Sequence, residues 1–252
     1  MPEEKNAPPP GTGETGGEGI GDRYVGFCDI LGFSSRILAD FKGTLEIYKG
    51  FANTFSGVPI EEVQVTIYSD AILVTGKSLG RVSCAIQNLW FVALAHDLMI
   101  RGAITKGRYW QQRHGDHMLV ASDALVRAVK LERSVSIPAV VIADDLEIPE
   151  QVWLNRFANG LFLTPILHFR DRNIVNPFNI MWFRSAATRA SQLMAASPSH
   201  RDKYLWFLAL HEAVGNGQEL IPPAVLARFV RDGILVRKVP DQNANAGASK
   251  VN

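Results

Sequence analysis

Cysteine is scarce, with two in 252 residues, and Cys28 and Cys84 sit in apolar segments rather than in close-spaced metal or redox patterns. That excludes a disulfide-stapled scaffold or a Cys-rich zinc module, and suits a reduced, cytoplasmic protein. Charge of one sign is lacking too: 26 basic residues face 25 acidic ones, so no global field favours nucleic acid or an anionic membrane as the main partner. No apolar run approaches the ~20 residues that span a bilayer, and the N-terminus lacks the charged and then apolar build of a signal peptide. Internal repeats are absent. The 47% apolar residues suffice for one good core with a small helical appendage, not for two full enzyme domains.

Residues 1–22 are rich in Pro, Gly and Glu and poor in large apolar groups, which predicts a disordered tail. The "GTGETG" within it meets a dinucleotide-loop pattern, but no strand precedes it and no helix follows, so it reads as a linker. Residues 240–252 form a second polar tail. Between the tails, "RYVGFCDIL" reads as a buried strand, residues 34–56 as helical with a break near Gly43, and "EEVQVTIYSDAILVTG" as two strands around a turn at Ser69 and Asp70. A core helix ("RVSCAIQNLWFVALAHDLM"), a glycine-bearing strand ("IRGAITKGRYW"), an amphipathic helix opening on Ser-Asp ("SDALVRAVKLERS") and a strand ("PAVVIADDL") follow. "GLFLTPILHFRD" reads as a strand or hairpin, and helices are expected over roughly 180–197 and 201–215. The alternation predicts an α/β fold, an α+β sandwich with helices on one face of an open sheet. The expected boundaries are a catalytic domain over 23–178 and a helical extension over 179–239.

Two carboxylates, Asp29 and Asp70, fall at the ends of neighbouring apolar strands. Each alone reads as a turn residue, since Asp favours turns. Together they repel at close range, a cost that a divalent cation removes, and two such ions can activate an attacking oxygen and hold a polyphosphate leaving group.

In order and spacing, "FCDILGFSS", "IYSDAILVTG", "IRGAITKG" and "DALVRAVKLE" resemble the successive blocks of the class III nucleotidyl cyclases, over about residues 24–133. The resemblance implies that family's catalytic-domain fold, a ferredoxin-like sheet with helices, here followed by C-terminal helices. It implies Asp29 and Asp70 as metal-binding carboxylates with the Ile30 carbonyl as a further ligand, and two divalent ions, Mn²⁺ or Mg²⁺. Backbone amides of Gly32, Phe33, Ser34 and Ser35 would hold the triphosphate. A homodimer is also implied, its sites made of metal residues from one copy and transition-state residues from the other.

Departures from the pattern accompany the matches. Where the family has an Asn and, four positions on, an Arg that stabilises the transition state, this chain has Val126 and Lys130. Lysine supplies the charge without the planar fork of donors, and Arg127, one position off, is the other candidate. The family's late triphosphate lysine has no clean match; Arg170 and Arg172 are the candidates. The base-reading positions hold Thr66 and Leu119, which match neither the adenine nor the guanine code. An apolar Leu cannot pair with a purine's exocyclic group.

A compact, stand-alone chain that lacks both purine codes resembles the pyrimidine cyclases of bacterial Pycsar anti-phage systems, which implies UTP or CTP as substrate and a separate effector switched on by the cyclic product. Tyr48, as an aromatic platform, and Arg101, as a donor to carbonyls, are candidates for the base site; their plain readings are helix packing and a salt bridge. Donors such as Arg101 and Thr66 suit uracil over cytosine, so UTP is favoured. An unusual adenylate cyclase and a catalytically inactive binding module are the alternatives. His114, Asp116 and His117 group near a glycine as a hairpin loop would place them, and Trp90, Phe91, Trp182 and Trp206 read as core or dimer contacts.

Overall fold

A computed structural model describes residues 18–57, 62–115, 117–159, 164–196 and 200–235. The 1–17 and 240–252 tails, the "GTGETG" run and Asp116 lie outside the described residues. The long strand β1 (Glu18–Ile30) is flanked on both sides: β3 (Ala71–Gly76) and β4 (Ile100–His114) both pair with it antiparallel. Close approach of β1 and β4 explains the glycine in "IRGAI", since a Cβ on Gly102 would lie 2.4 Å from the Phe27 carbonyl oxygen. β2 (Val63–Tyr68) pairs with β3 around a two-residue turn whose Ser69 takes φ 55°.

Helices α1 (Phe33–Ala39) and α2 (Phe41–Ser56) link β1 to β2, and α3 (Leu79–Ala95) links β3 to β4. The resulting order β2-β3-β1-β4 is that of the ferredoxin-like βαββαβ unit, as expected. β6 (Val140–Ile142) extends the sheet parallel to β4, and the hairpin β8 (Arg172–Val175) and β7 (Ile166–Phe169) completes it. β5 (His117–Ser122) folds back on the far half of β4, and α4 (Asp123–Ser134) follows, capped by the Ser122 hydroxyl, which accepts from Leu125 N. The remaining helices are α5 (Glu150–Asn159), α6 (Phe183–Ala196), α7 (Arg201–Gly215) and α8 (Pro223–Arg231).

Helices cover both faces of the sheet, not one. Gly26, Cys28 and Ile30 face α3, and Trp90 of α3 stacks on Phe207 of α7 at 5.6 Å, which joins the C-terminal helices to the main core. On the other face, Val25, Tyr109 and Ala124 form a smaller cluster under α4, where the Thr105 hydroxyl donates to the Ala124 carbonyl. Three local expectations also shift. β1 begins at Glu18, inside the stretch read as tail, because the 15-residue β4 offers it a partner out to Gln111. The helical break falls at Asp40, whose carboxylate caps α2 by accepting from Gly43 N at 3.0 Å. Helices α5 and α8 were not expected; Pro223 in the first turn of α8 is a start signal that the pattern reading passed over.

Candidate active site

Asp29 is the penultimate residue of β1, paired with Ala71 on β3 and with Arg101 on β4. Asp70 occupies the β2–β3 turn, and its carbonyl accepts from Ile30 N at 2.9 Å. Strand pairing therefore brings together two acids that are distant in sequence. Burial pushes the Asp29 carboxyl above the ordinary carboxylate range, Arg101 draws it down, and the Asp70 charge pushes it up again. The Ser34 hydroxyl, from the first turn of α1, donates to Asp70 Oδ2 at 3.1 Å.

A third acid completes the cluster. Arg101 Nε donates to Asp29 Oδ2 at 3.3 Å, while Oε1 of Glu132, on α4, lies 2.7 Å from the same nitrogen but off the N–H axis and without a hydrogen bond. Arg101 Nη1 donates to the Val135 carbonyl. The Glu132 side chain is 5% exposed and that of Asp29 25%, so one guanidinium serves two acids, one of them nearly sealed from water. Burial raises the Glu132 carboxyl, Arg101 lowers it and Asp29 raises it. Arg101 faces two of the three acids directly, and the charges of Lys203 and Arg133 also reach Asp29 and Glu132 respectively, with the Ile30 backbone close by. Carboxylate and carbonyl oxygens are the donor type that hard divalent cations bind.

Within its own chain Arg101 thus pairs with Asp29 and Glu132, the contacts that its plain salt-bridge reading describes. Tyr48 lies in an aromatic ladder, 5.3 Å from Phe33 and 6.3 Å from Phe51, which is helix packing. Its hydroxyl also feels the site: burial, and then the Asp70 charge, push it above the ordinary tyrosine value. Gly32 takes φ 73°, a conformation that favours glycine, and turns the chain from β1 into α1; Phe33 is buried, while Ser34 and Ser35 are exposed.

The other expected residues do not join this cluster within one chain. Thr66 is exposed on β2, in register through Leu73 with Phe27, so it shares the Asp29 face two strands away. Leu119 pairs with Gln112, eleven residues along β4 from Arg101, roughly 35 Å of strand. Val126, Arg127 and Lys130 are exposed on α4. Arg127 donates to the Lys106 carbonyl at 3.0 Å and pairs with Asp145, which ties it to its own chain, whereas Lys130 has no ion pair among the described residues. Arg170, at the β7–β8 turn, lines a cavity with His200 and Lys203; Arg172 is exposed on β8.

His114 and His117 face each other across the β4–β5 turn, as the hairpin reading expects. Among the described residues no three His, Cys, Asp or Glu side chains are placed to hold one metal ion together, Asp29, Asp70 and Glu132 included. Trp90 and Trp206 are core residues, and Phe91 meets Trp182 edge-on at 5.5 Å. Sequence reasoning missed Glu132, although it quoted the "KLE" that contains it; an acid on the apolar face of an amphipathic helix was the available signal. It also missed Lys203, whose charge reaches Asp29 and draws that carboxyl down.

No protein-family model matches the chain, and no curated protein matches it. Among solved structures, it is similar to a class III adenylyl cyclase-like ATP-binding protein from Pseudomonas aeruginosa, at 10% identity and a TM-score of 0.40, over 50% of this chain and 34% of that one. It is similar to the guanylyl cyclase Cya2, at 10% identity and a TM-score of 0.44, over 63% of this chain and 92% of that one. A third is the adenylyl cyclase CyaB from P. aeruginosa, at 12% identity and a TM-score of 0.42, over 64% and 97% of the two chains. No helix among the described residues is long and apolar enough to cross a membrane.

Proposed function

We propose that the protein is a nucleotidyl cyclase that converts a pyrimidine nucleoside triphosphate, UTP above CTP, into its 3′,5′-cyclic monophosphate and pyrophosphate. The observation that supports this most is the convergence of Asp29 and Asp70 at the β1–β3 end, where the Asp70 charge is felt at Asp29. Asp29, Asp70 and the Ile30 carbonyl would hold two Mn²⁺ or Mg²⁺ ions, which when bound supply the charge that acidifies the ribose 3′-hydroxyl and offsets that of the departing pyrophosphate. Arg101 donates to Asp29 and Ser34 to Asp70, so each carboxylate has a partner that restrains it. The bond formed joins the 3′-oxygen to the α-phosphorus, and the bond broken is that between the α-phosphorus and the pyrophosphate oxygen, so no protein nucleophile is consumed.

Lys130, Thr66 and Leu119 would act from a second copy. Lys130 would place positive charge at the transition state, and Thr66 and Leu119 would line the base site. Exposure of Met118 and Leu119 at 48% each and Val126 at 53% supports a surface that a second copy covers, and with it a homodimer. The proposed role of the cyclic product is to switch on a separate effector in defence against phage, as in the systems the pocket resembles.

The test is incubation of the purified protein with Mn²⁺ and each of ATP, GTP, CTP and UTP, followed by mass spectrometry. Cyclic UMP or CMP is the expected product. Cyclic AMP would retain the chemistry and overturn the reading of Thr66 and Leu119. A nucleotide-binding module without turnover is the second reading, favoured by Val126 and by the tie of Arg127 to Asp145. Absence of any product beside an active control would select it.

A further inference from the structure

Ile180 and Met181 are 74% and 86% exposed, side by side in the turn that opens α6. Two adjacent large apolar side chains held in water are unlike the single ones that any surface carries. The turn is fixed rather than loose: the Asn179 side chain accepts from Trp182 N at 3.0 Å, and the Asn179 carbonyl accepts from Phe183 N at 3.0 Å. Trp182 meets Phe91 of α3 edge-on, and Phe183 stacks on His211 of α7 at 4.0 Å. The residues that follow the pair are anchored on the core helices, while the pair itself stays exposed.

Beside this turn lies a groove of about 530 Å³, walled by Trp182, Arg184, Ser185, Thr188, Arg189 and Gln192, with no carboxylate among the described lining residues. Helix α6 carries two arginines and no acid. Arg189 shares its charge with Asp97, whose Oδ1 lies 2.6 Å from its Nε, whereas Arg184 is exposed and has no ion pair among the described residues. Arg184 also stands in the first turn of α6, so the positive end of the helix dipole adds to its field. The indole N–H of Trp182, buried and without a hydrogen-bond partner among the described residues, is a further donor on that wall. Guanidinium, hydroxyl, amide and indole donors with net positive charge suit a phosphate.

The two features together select the ligand. A soluble phosphate compound would fill the groove and leave Ile180 and Met181 in water. A protein partner would cover the pair without calling for a donor-lined groove beside it. At the boundary of a bilayer, phosphates lie directly above acyl chains, and Trp, basic and apolar side chains are favoured at neighbouring depths. The near balance of charge over the whole chain is no obstacle, because attraction to an anionic surface acts only within about a Debye length. Ala95, the last residue of α3, closes the groove, on the sheet face opposite α4 and apart from the β5 and α4 residues assigned to the second copy.

We propose that the turn Asn179–Trp182 and the groove beside it dock the protein on an anionic lipid surface. Ile180 and Met181 enter the boundary between headgroups and acyl chains, and Arg184, with Ser185, Thr188 and Gln192, takes a headgroup phosphate. This does not rest on the cyclase reading.

The test is flotation of the full-length protein with vesicles of phosphatidylcholine alone or of phosphatidylcholine mixed with phosphatidylserine. Wild-type protein is expected to float with the mixed vesicles, and less so as salt is raised. Met181→Ser should weaken binding about tenfold through lost apolar burial, and Arg184→Gln about fivefold through one lost charge at the surface, while Met181→Leu binds as wild type does. Both residues are exposed, so unchanged melting temperatures are expected and separate lost docking from lost folding. Absence of wild-type binding to the mixed vesicles, or equal binding by wild type, Met181→Ser and Arg184→Gln, overturns the inference. Calorimetric binding of glycerol 3-phosphate that Arg184→Gln removes, without flotation, overturns it in favour of a soluble phosphate compound. A change of oligomeric mass in Met181→Ser, again without flotation of the wild type, overturns it in favour of a contact between copies.

Discussion

The two ends of the long β1–β4 pair differ in how far their residues are supported within one chain. At the Asp29 end, each acid has a partner: Arg101 on Asp29 and Glu132, Ser34 on Asp70. At the other end, β5 presents Met118, Leu119 and Val120 to solvent, and the outer face of α4, which runs from there back toward Arg101, presents Val126 and a Lys130 with no ion pair among the described residues. On the proposed reading the first end would supply the metal-holding acids. The exposed residues of β5 and α4 would act only when another copy meets them. A chain organised in this way fits a site divided between two copies.

Replacing a carboxylate at the supported end should have the largest effect. Asp29→Asn or Asp70→Asn is expected to lower turnover by on the order of a thousandfold or more, because each would remove a carboxylate that the proposed function assigns to holding the divalent ions. Melting temperature should stay unchanged or rise for Asp29→Asn, since burial already disfavours the Asp29 charge. A variant that loses activity only because it unfolds would remove the contrast between the two ends.

Arg101→Ala leaves Asp29 and Glu132 without their shared cation. A loss of roughly 2–4 kcal/mol in chemical denaturation is expected, at the lower side for breaking a buried pair because Asp29 is partly wetted. A loss below about 0.5 kcal/mol would show the network to be no better than a surface ion pair.

The same network gives a pH dependence. Asp29 and Glu132 have carboxyls raised by burial, so between their ordinary and raised values the folded protein binds more protons than the unfolded chain. Stability of the metal-free protein should therefore fall as pH climbs from about 4 through the raised range, where both acids become charged. Added Mg²⁺ should flatten that fall, which thermal melts from acid to neutral pH would show. A metal-free protein whose melting temperature rises over the same interval would contradict the raised carboxyls.

The smallest effect belongs to Arg127→Ala. Its partner Asp145 is 61% exposed, so the expected changes are within about threefold in turnover and about 1 kcal/mol in stability. A hundredfold loss of turnover would transfer the transition-state role from Lys130 to Arg127.

The supported end was largely legible in the sequence because its geometry is local to strand ends. An Asp closing an apolar strand and another in a two-residue turn need only the hairpin β2–β3 to pair with β1, and alternating patterns announce all three strands. Glu132 was less visible, since helix periodicity places it on a buried face without saying what lies beneath. Lys203 was not legible at all. The pattern of α7 says that the helix packs on something, and only the contact of Trp90 with Phe207 turns its first turn toward the Gly32 loop. The early start of β1 escaped for a related reason: "EGIG" has little strand character of its own and pairs because β4 is long enough to reach it.

The division of the site between copies is tested most directly by mixing Asp29→Asn and Lys130→Ala proteins under conditions where subunits demonstrably exchange. Each alone should be inactive, and the mixture should recover about a quarter of wild-type turnover, one working site in half of the dimers. A mixture that stays inactive despite exchange would contradict a site shared between two copies.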